Sequence, residues 1–386
     1  MVDREKEARL LEPVERIATD PEKDSPEEGI ALCLSGGGYR AMLFHLGSLW
    51  RLNEVAYLKK CARISSVSGG SITAATLGSR WSSLAFDGQG VAQNFVDEVV
   101  PPLRALADRT IDVTSVLAGS LGPGSIADKI TKAYRKHLFG NQTLQDLPDE
   151  PRFVINASNV QSGALWRFMK PYMRDWKVGE VKNPTIELAV AVAASSAFPP
   201  FLSPLEMELE DSDFTPNTGG LQRPPFTTDV ILTDGGVYDN LGLETAWKKY
   251  KTILVSDAGG ALEPESEPKR DWARHTYRVL LLIDNQVRSL RTRQVIDSFD
   301  AKVREGTYWS IRSNIQKYSA SKPLNCPLEK TSRLANVATR LKRLDNHTQE
   351  ALINWGYAIA DVAVRTFVDR NLPQPTSFPY PDVGVG

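Results

Sequence analysis

The sequence is short of histidine and cysteine, has no excess of either charge and contains no long apolar run, and each shortage removes a class of protein. Four histidines (His45, His137, His275 and His347) are scattered over 386 residues, with no clustering that suggests a metal site. Cys33, Cys61 and Cys326 are odd in number and widely spaced. They predict neither a disulfide framework nor a metal knot, which fits a reducing cytosol. Lys plus Arg (46) nearly balance Asp plus Glu (47), for a formal net charge of −1. Nucleic-acid backbones are bound by concentrated basic surfaces, so no such partner is expected. The basic runs Arg288–Arg293 and Arg340–Arg343 read as solvated helix faces. No stretch of about 18 apolar residues is present, so no spanning helix is expected. The nearest candidate, Leu188–Leu202, is rich in Ala and Ser and is broken by Pro199-Pro200. The charged N-terminus lacks the apolar segment of a signal peptide, so a cytoplasmic location is expected.

What is present is ordinary globular material, 41% hydrophobic and 24% charged. Residues 1–28 read as a polar lead-in with a short helix around Glu5–Ile17. From Gly29 the order becomes strand, glycine turn, helix, and a second such unit follows through Ala62–Val67, Ser68–Gly70 and Ser71–Trp81. Further β-rich runs are Phe153–Ala157, Val230–Thr233, Thr252–Ser256 and Val279–Ile283. Strands alternating with helices predict a three-layer α/β/α architecture around a largely parallel central sheet. A helical insert is expected at about 86–150, either completing the core or covering a site. A second, polar loop runs from Asp211 to Pro225. The C-terminal part, about 285–370, reads as helical. Asn285 is a candidate cap for a helix through Val303, and Asn346 with Gln349 has capping-box spacing. Residues 29–372 therefore read as one domain.

Ser68 stands in Ser66-Val67-Ser68-Gly69-Gly70, where a strand turns into a helix. A nucleophile elbow holds its serine in a strained turn, so the residues two before and two after must be small. The helix that follows aims its N-terminal amides at the serine. Ser71, Ser120 and Ser125 are weaker candidates, since none directly follows a strand. Ser35-Gly36-Gly37-Gly38-Tyr39-Arg40 follows the first strand. Its glycines leave amides unshielded for an oxyanion, and Arg40 adds charge. It lacks the Lys of a P-loop and the spacing of a dinucleotide turn. Asp234-Gly235-Gly236 also ends a strand, and its carboxylate can address the serine directly. Asp257-Ala258-Gly259 is the rival acid, while Asp239 reads as a local backbone partner. None of the histidines sits in a loop-tip context suited to a Ser-His-Asp triad, which turns the expectation toward a Ser-Asp dyad.

Together, and in this order, these elements resemble the patatin-like phospholipases. The resemblance covers roughly residues 29–260 and includes Ala194–Pro199 and Arg152–Leu165. It departs at Ser66, where the family's first elbow glycine belongs. The elbow of the related cytosolic phospholipase A2 also places Gly directly after its serine, as Gly69 does here. The resemblance implies acyl-ester hydrolysis with Ser68 as nucleophile, Asp234 as base, and an oxyanion hole drawn from Gly36, Gly37, Gly38, Arg40 and Gly69. It implies no metal or other cofactor. The expected partner is a membrane phospholipid or other acyl lipid, reached by peripheral contact from the water side. A thioesterase or neutral-lipid esterase shares the same motifs, a signal-activated phospholipase effector is allowed, and a silent binding module is disfavoured by the intact Ser68 and Asp234.

Overall fold

The computed structural model describes residues 26–111, 124–200 and 202–386. The expected helix at 5–17 and Ser120 lie outside them. Two strand–helix units open the fold: β1 (Glu27–Leu34), α1 (Gly38–Glu54), β2 (Cys61–Val67) and α2 (Gly69–Ser79). The insert supplies α3 (Phe95–Ala107) and α4 (Gly124–Tyr134). A meander follows as β3 (Arg152–Asn159), β4 (Ala164–Phe168), β5 (Tyr172–Asp175) and β6 (Gly179–Lys182). Next come α5 (Leu188–Ser195), β7 (Leu205–Glu208), β8 (Asp229–Asp234), α6 (Gly236–Asp239), α7 (Glu244–Trp247) and β9 (Tyr250–Asp257). The chain continues with α8 (Trp272–Asp300), β10 (Glu305–Ser310), α9 (Leu328–Ala335) and α10 (Asn346–Phe367).

The sheet runs β10-β9-β1-β2-β3-β4-β5-β6. From β10 to β3 every pairing is parallel, and from β3 to β6 every pairing is antiparallel. Central parallel strands are covered on both faces and so read as continuous apolar runs. In β1, Leu32 and Leu34 enter the main core, while Ala31 and Cys33 enter a second core with Leu241, Val255 and Val295. Strand alternation thus separates two helix layers, as the α/β/α expectation requires. The two longest buried helices, α1 and α10, pack together in one layer. There Asp361 accepts from Arg51 Nε at 2.9 Å and from Arg365 Nε at 3.0 Å. Leu352, Trp355, Ile359 and Val362 of α10 are all fully buried. All three cysteines are buried and free.

One pairing positions everything that follows. Along a single edge, β3 pairs in parallel with β2 as far as Val67↔Asn156. At the next residue it switches to antiparallel pairing with β8, at Ala157↔Asp234. The strands β2 and β8 therefore meet head-on beside β3, and Ser68 and Asp234 stand at the junction.

Several boundaries differ from expectation. Val279–Ile283 is not a strand but the interior of α8, which starts at Trp272 with Asp271 as its cap; the Asp271 carboxylate accepts the Arg274 N–H at 3.0 Å. A five-residue apolar run has no period of its own, and the cap twelve residues before Ile283 decided its state. Asn285 accordingly lies inside a helix and caps nothing. In α10 the cap is Asp345, one residue before the expected Asn346, and it accepts the Thr348 N–H at 2.9 Å. The chain beyond residue 372 is also part of the body: Asn354 Nδ2 donates to the carbonyls of Tyr380 and Gly384 at 2.8 and 2.7 Å.

Candidate active site

Ser68 adopts φ 52° and ψ −121°, a strained conformation for a residue with a side chain. It is the residue immediately before α2, and two bonds hold it there. Its own N–H donates to Ser195 Oγ at 3.0 Å. Ser195 Oγ in turn donates to the Asn156 carbonyl at 2.7 Å. Ser66, in place of the elbow glycine, points its hydroxyl at the Val154 carbonyl (3.2 Å) and accepts from Ser71 (3.0 Å). Its side chain is therefore absorbed by β3 and leaves the turn unobstructed.

The two glycine turns press against each other. A Cβ on Gly69 would collide with the Gly38 carbonyl oxygen, so an elbow built this close requires glycine there. Gly37 sits at φ 143° and Gly38 at φ 60°. Among the described residues, the amides of Gly37, Gly38 and Gly69 meet no acceptor. The Gly36 amide does not join them, because it donates to the Asn240 carbonyl (3.1 Å) and to Asn240 Oδ1 (3.2 Å).

Arg40 differs from expectation in the same way. Its Nε and Nη2 donate to the Ala258 carbonyl at 3.2 and 2.9 Å, and its Nη1 donates to the Val337 carbonyl. The guanidinium is buried and spent on backbone, and burial together with Arg312 and Arg288 lowers its pKa to about 10. It fastens two loops over the glycine turn and does not line the cavity.

Asp234 is 2% exposed. Its Oδ1 accepts the Gly236 N–H at 2.7 Å, while Oδ2 is buried without an aligned donor. Burial raises its pKa to about 7; the Gly236 bond and the nearby Ser68 hydroxyl pull it down, and Asp284 pushes it up. The Ser68 hydroxyl therefore lies within reach of the Asp234 carboxylate. The carboxylate is positioned by the same segment that holds Ser68. Asp234 N–H donates to the Ala197 carbonyl (2.9 Å) and Gly235 N–H to the Ser195 carbonyl (3.2 Å). Residues 195–197 are thus a strut between the two groups. The sequence marked this block by resemblance, but no local pattern assigned Ser195 its role.

The rival groups lie elsewhere. Asp257 accepts from Gly259 N–H (2.8 Å) and Tyr308 OH (2.6 Å) and does not line the cavity. Asp239 bonds the amides of Leu241 and Glu244, as expected. His45 is fully buried. Its Nε2–H donates to the Ser35 carbonyl (3.0 Å), Nδ1 accepts from Ser256 (2.8 Å), and burial lowers its pKa to about 4. None of the four histidines lines the cavity.

That cavity has a volume of about 320 Å³. Its floor is the glycine turn, Ser68, Asp234 and Ser196, and its other side is the loop after β9, residues 338–341 and one face of α8. Arg288 and Arg340, expected on solvated faces, both contribute to this lining.

Residues 32–247, more than half of the chain, match the model of the patatin-like phospholipases. The chain belongs to that family. Among solved structures, human GIVD cytosolic phospholipase A2 in complex with methyl gamma-linolenyl fluorophosphonate inhibitor and terbium chloride is similar at 12% identity and TM-score 0.51. The match covers 86% of this chain and 57% of that one. VipD from Legionella pneumophila matches at 14% identity and TM-score 0.35, over 88% of this chain and 66% of that one. The chain thus spans less than two thirds of these structures, and the likeness concerns the fold. No match was found among curated proteins.

Proposed function

We propose that this patatin-like chain is a phospholipase A-type acyl hydrolase working through a Ser68–Asp234 dyad. The observation that carries the reading is the head-on meeting of β2 and β8, which sets the strained serine beside a buried carboxylate of raised pKa in a cavity lined by no histidine. Asp234 takes the Ser68 proton as the serine oxygen attacks the ester carbonyl. The carbonyl oxygen, now negative, is held by the amides of Gly37, Gly38 and Gly69 at the start of two helices. The lysolipid leaves with the proton. Water, deprotonated by the same Asp, then releases the fatty acid and regenerates the serine. Residues 29–372 form the catalytic unit, and the tail packs on it.

Peripheral contact with a bilayer from the cytoplasmic side is part of this reading. Among the described residues no helix is long and apolar enough to cross a membrane. At 100° per residue, Trp272, Val279, Ile283 and Leu290 form one stripe of α8, opposite Tyr277, Leu281 and Arg288 in the cavity wall. All four stripe residues are exposed, Trp272 at 84%.

A fluorophosphonate probe tests the dyad. Wild type is expected to label at one serine, Ser68→Ala not at all, and Asp234→Asn at least a thousandfold more slowly. Persistent labelling of Ser68→Ala would sink the assignment.

A further inference from the structure

The family's motif arginine is unavailable to a substrate, because all three nitrogens of Arg40 are spent on the Ala258 and Val337 carbonyls. The cavity nonetheless keeps a positive end. Arg288 and Arg312 lie near enough to Arg40 to depress its pKa, opposed by Asp257. Of these cations, Arg288 is the one that lines the cavity. It is half-buried, and its Nη2 donates to Asn285 Oδ1 at 3.2 Å, one turn earlier on the same face. Among the described residues it forms no ion pair, so further N–H donors remain for a ligand. Among the described residues the one acid on this wall, Asp284, is itself desolvated, with its carboxyl pushed up by burial and by Asp257 and drawn down by Arg288. Arg288 lies against Gly259, where any Cβ would collide with Nη1.

We propose that Arg288, steadied by Asn285, binds the phosphate of a glycerophospholipid whose acyl ester lies at Ser68, so that phosphate-bearing lipids are selected over neutral acylglycerols. The inference rests on the acyl-hydrolase reading and names its substrate class. A guanidinium presents paired donors to phosphate oxygens, and a half-buried site strengthens that contact relative to water. A neutral glyceride leaves the guanidinium unmatched.

The test is calorimetric, on the full chain carrying Ser68→Ala, with dihexanoylphosphatidylcholine below its micelle concentration, dihexanoylglycerol and glycerol 3-phosphate as ligands. The phospholipid is expected to bind at least tenfold tighter than the glyceride. Adding Arg288→Gln should bring that ratio to about one, a loss of about ten- to a hundredfold in phospholipid affinity, and Arg288→Lys should restore part of it. An unchanged ratio in Arg288→Gln, or an equal loss for both lipids, overturns the proposal. Glycerol 3-phosphate binding as tightly as the lipid would also overturn it, by making this a site for free phosphate. Fluorophosphonate labelling of Arg288→Gln, with Ser68 intact, reports that the variant is folded. An unlabelled wild type would instead remove the acyl-hydrolase reading on which the inference stands.

Discussion

The two sides of the cavity are built differently. The floor is made of strand ends and the turns that follow them: Ser68, Asp234 and the glycine turn are buried and lie within the family match, and residues 195–197 cross-bond Ser68 to the Asp234 turn. The opposite side, α8 and residues 338–341, lies beyond residue 247. Over its 29 residues α8 buries only Val295 and Ser298. On the proposed reading the floor carries the groups that any ester requires, while the wall carries Arg288, the residue proposed to discriminate among esters. Substitutions should divide accordingly.

The largest effect is expected on the floor. Gly69→Ala forces the elbow and the glycine turn apart, because the clash is backbone against side chain with no flexible group to give way. Misplacing the nucleophile by about 1 Å costs on the order of a hundredfold in rate. Turnover should fall at least that far for p-nitrophenyl butyrate and for phospholipid vesicles alike, with labelling by the fluorophosphonate slowed in parallel. A loss confined to vesicles would place Gly69 in substrate selection and blur the division.

The acid limb of the rate profile sharpens the comparison next. With Asp234 at about pH 7 and needed ionised, kcat/KM should drop tenfold per pH unit below that value on any substrate. A rate flat down to pH 4 would reject a buried Asp as base. The same shift predicts a stability change of fixed sign. The native carboxyl holds its proton up to about pH 7, whereas an unfolded Asp releases it near pH 4. The native state therefore binds more protons between these values, and stability from this group declines as pH rises from about 4 to about 7. Asp234→Asn should remove that decline, measured as Tm against pH.

The floor was legible because its chemistry is local. A serine between small residues after a strand, three glycines after another, and Asp-Gly-Gly after a third each announce a strand end. Asp239 reads correctly for the same reason, its partners being two and five residues away. What failed depends on distant chain. The fate of Arg40 is decided by carbonyls at 258 and 337, and that of the Gly36 amide by Asn240. Arg288 reads as one charge in a basic run until the loop after β9 closes over it. Val279–Ile283 reads as a strand because a short apolar run is the same in a buried strand and in a helix whose two faces are both apolar. That second case is the unusual one, and it raises the question of what the outer face of α8 meets.

If the outer face meets lipid, its removal should change where the enzyme works and leave the chemistry intact. Ile283→Glu with Leu290→Glu places two charges on the exposed stripe, away from the cavity face and from every hydrogen bond of the floor. Each side chain is already more than half exposed, so the fold loses little. In a bilayer each would have contributed up to about 2 kcal/mol of apolar burial. Partial insertion then sets the expected loss in vesicle binding at about tenfold or more, read by co-sedimentation with phosphatidylcholine vesicles. Hydrolysis of p-nitrophenyl butyrate should stay within twofold of wild type. Unchanged vesicle binding would take the bilayer away from this face. A fall in soluble-ester hydrolysis as large as the fall in vesicle binding would instead show that α8 supports the floor, and the two sides of the cavity would have to be treated as one.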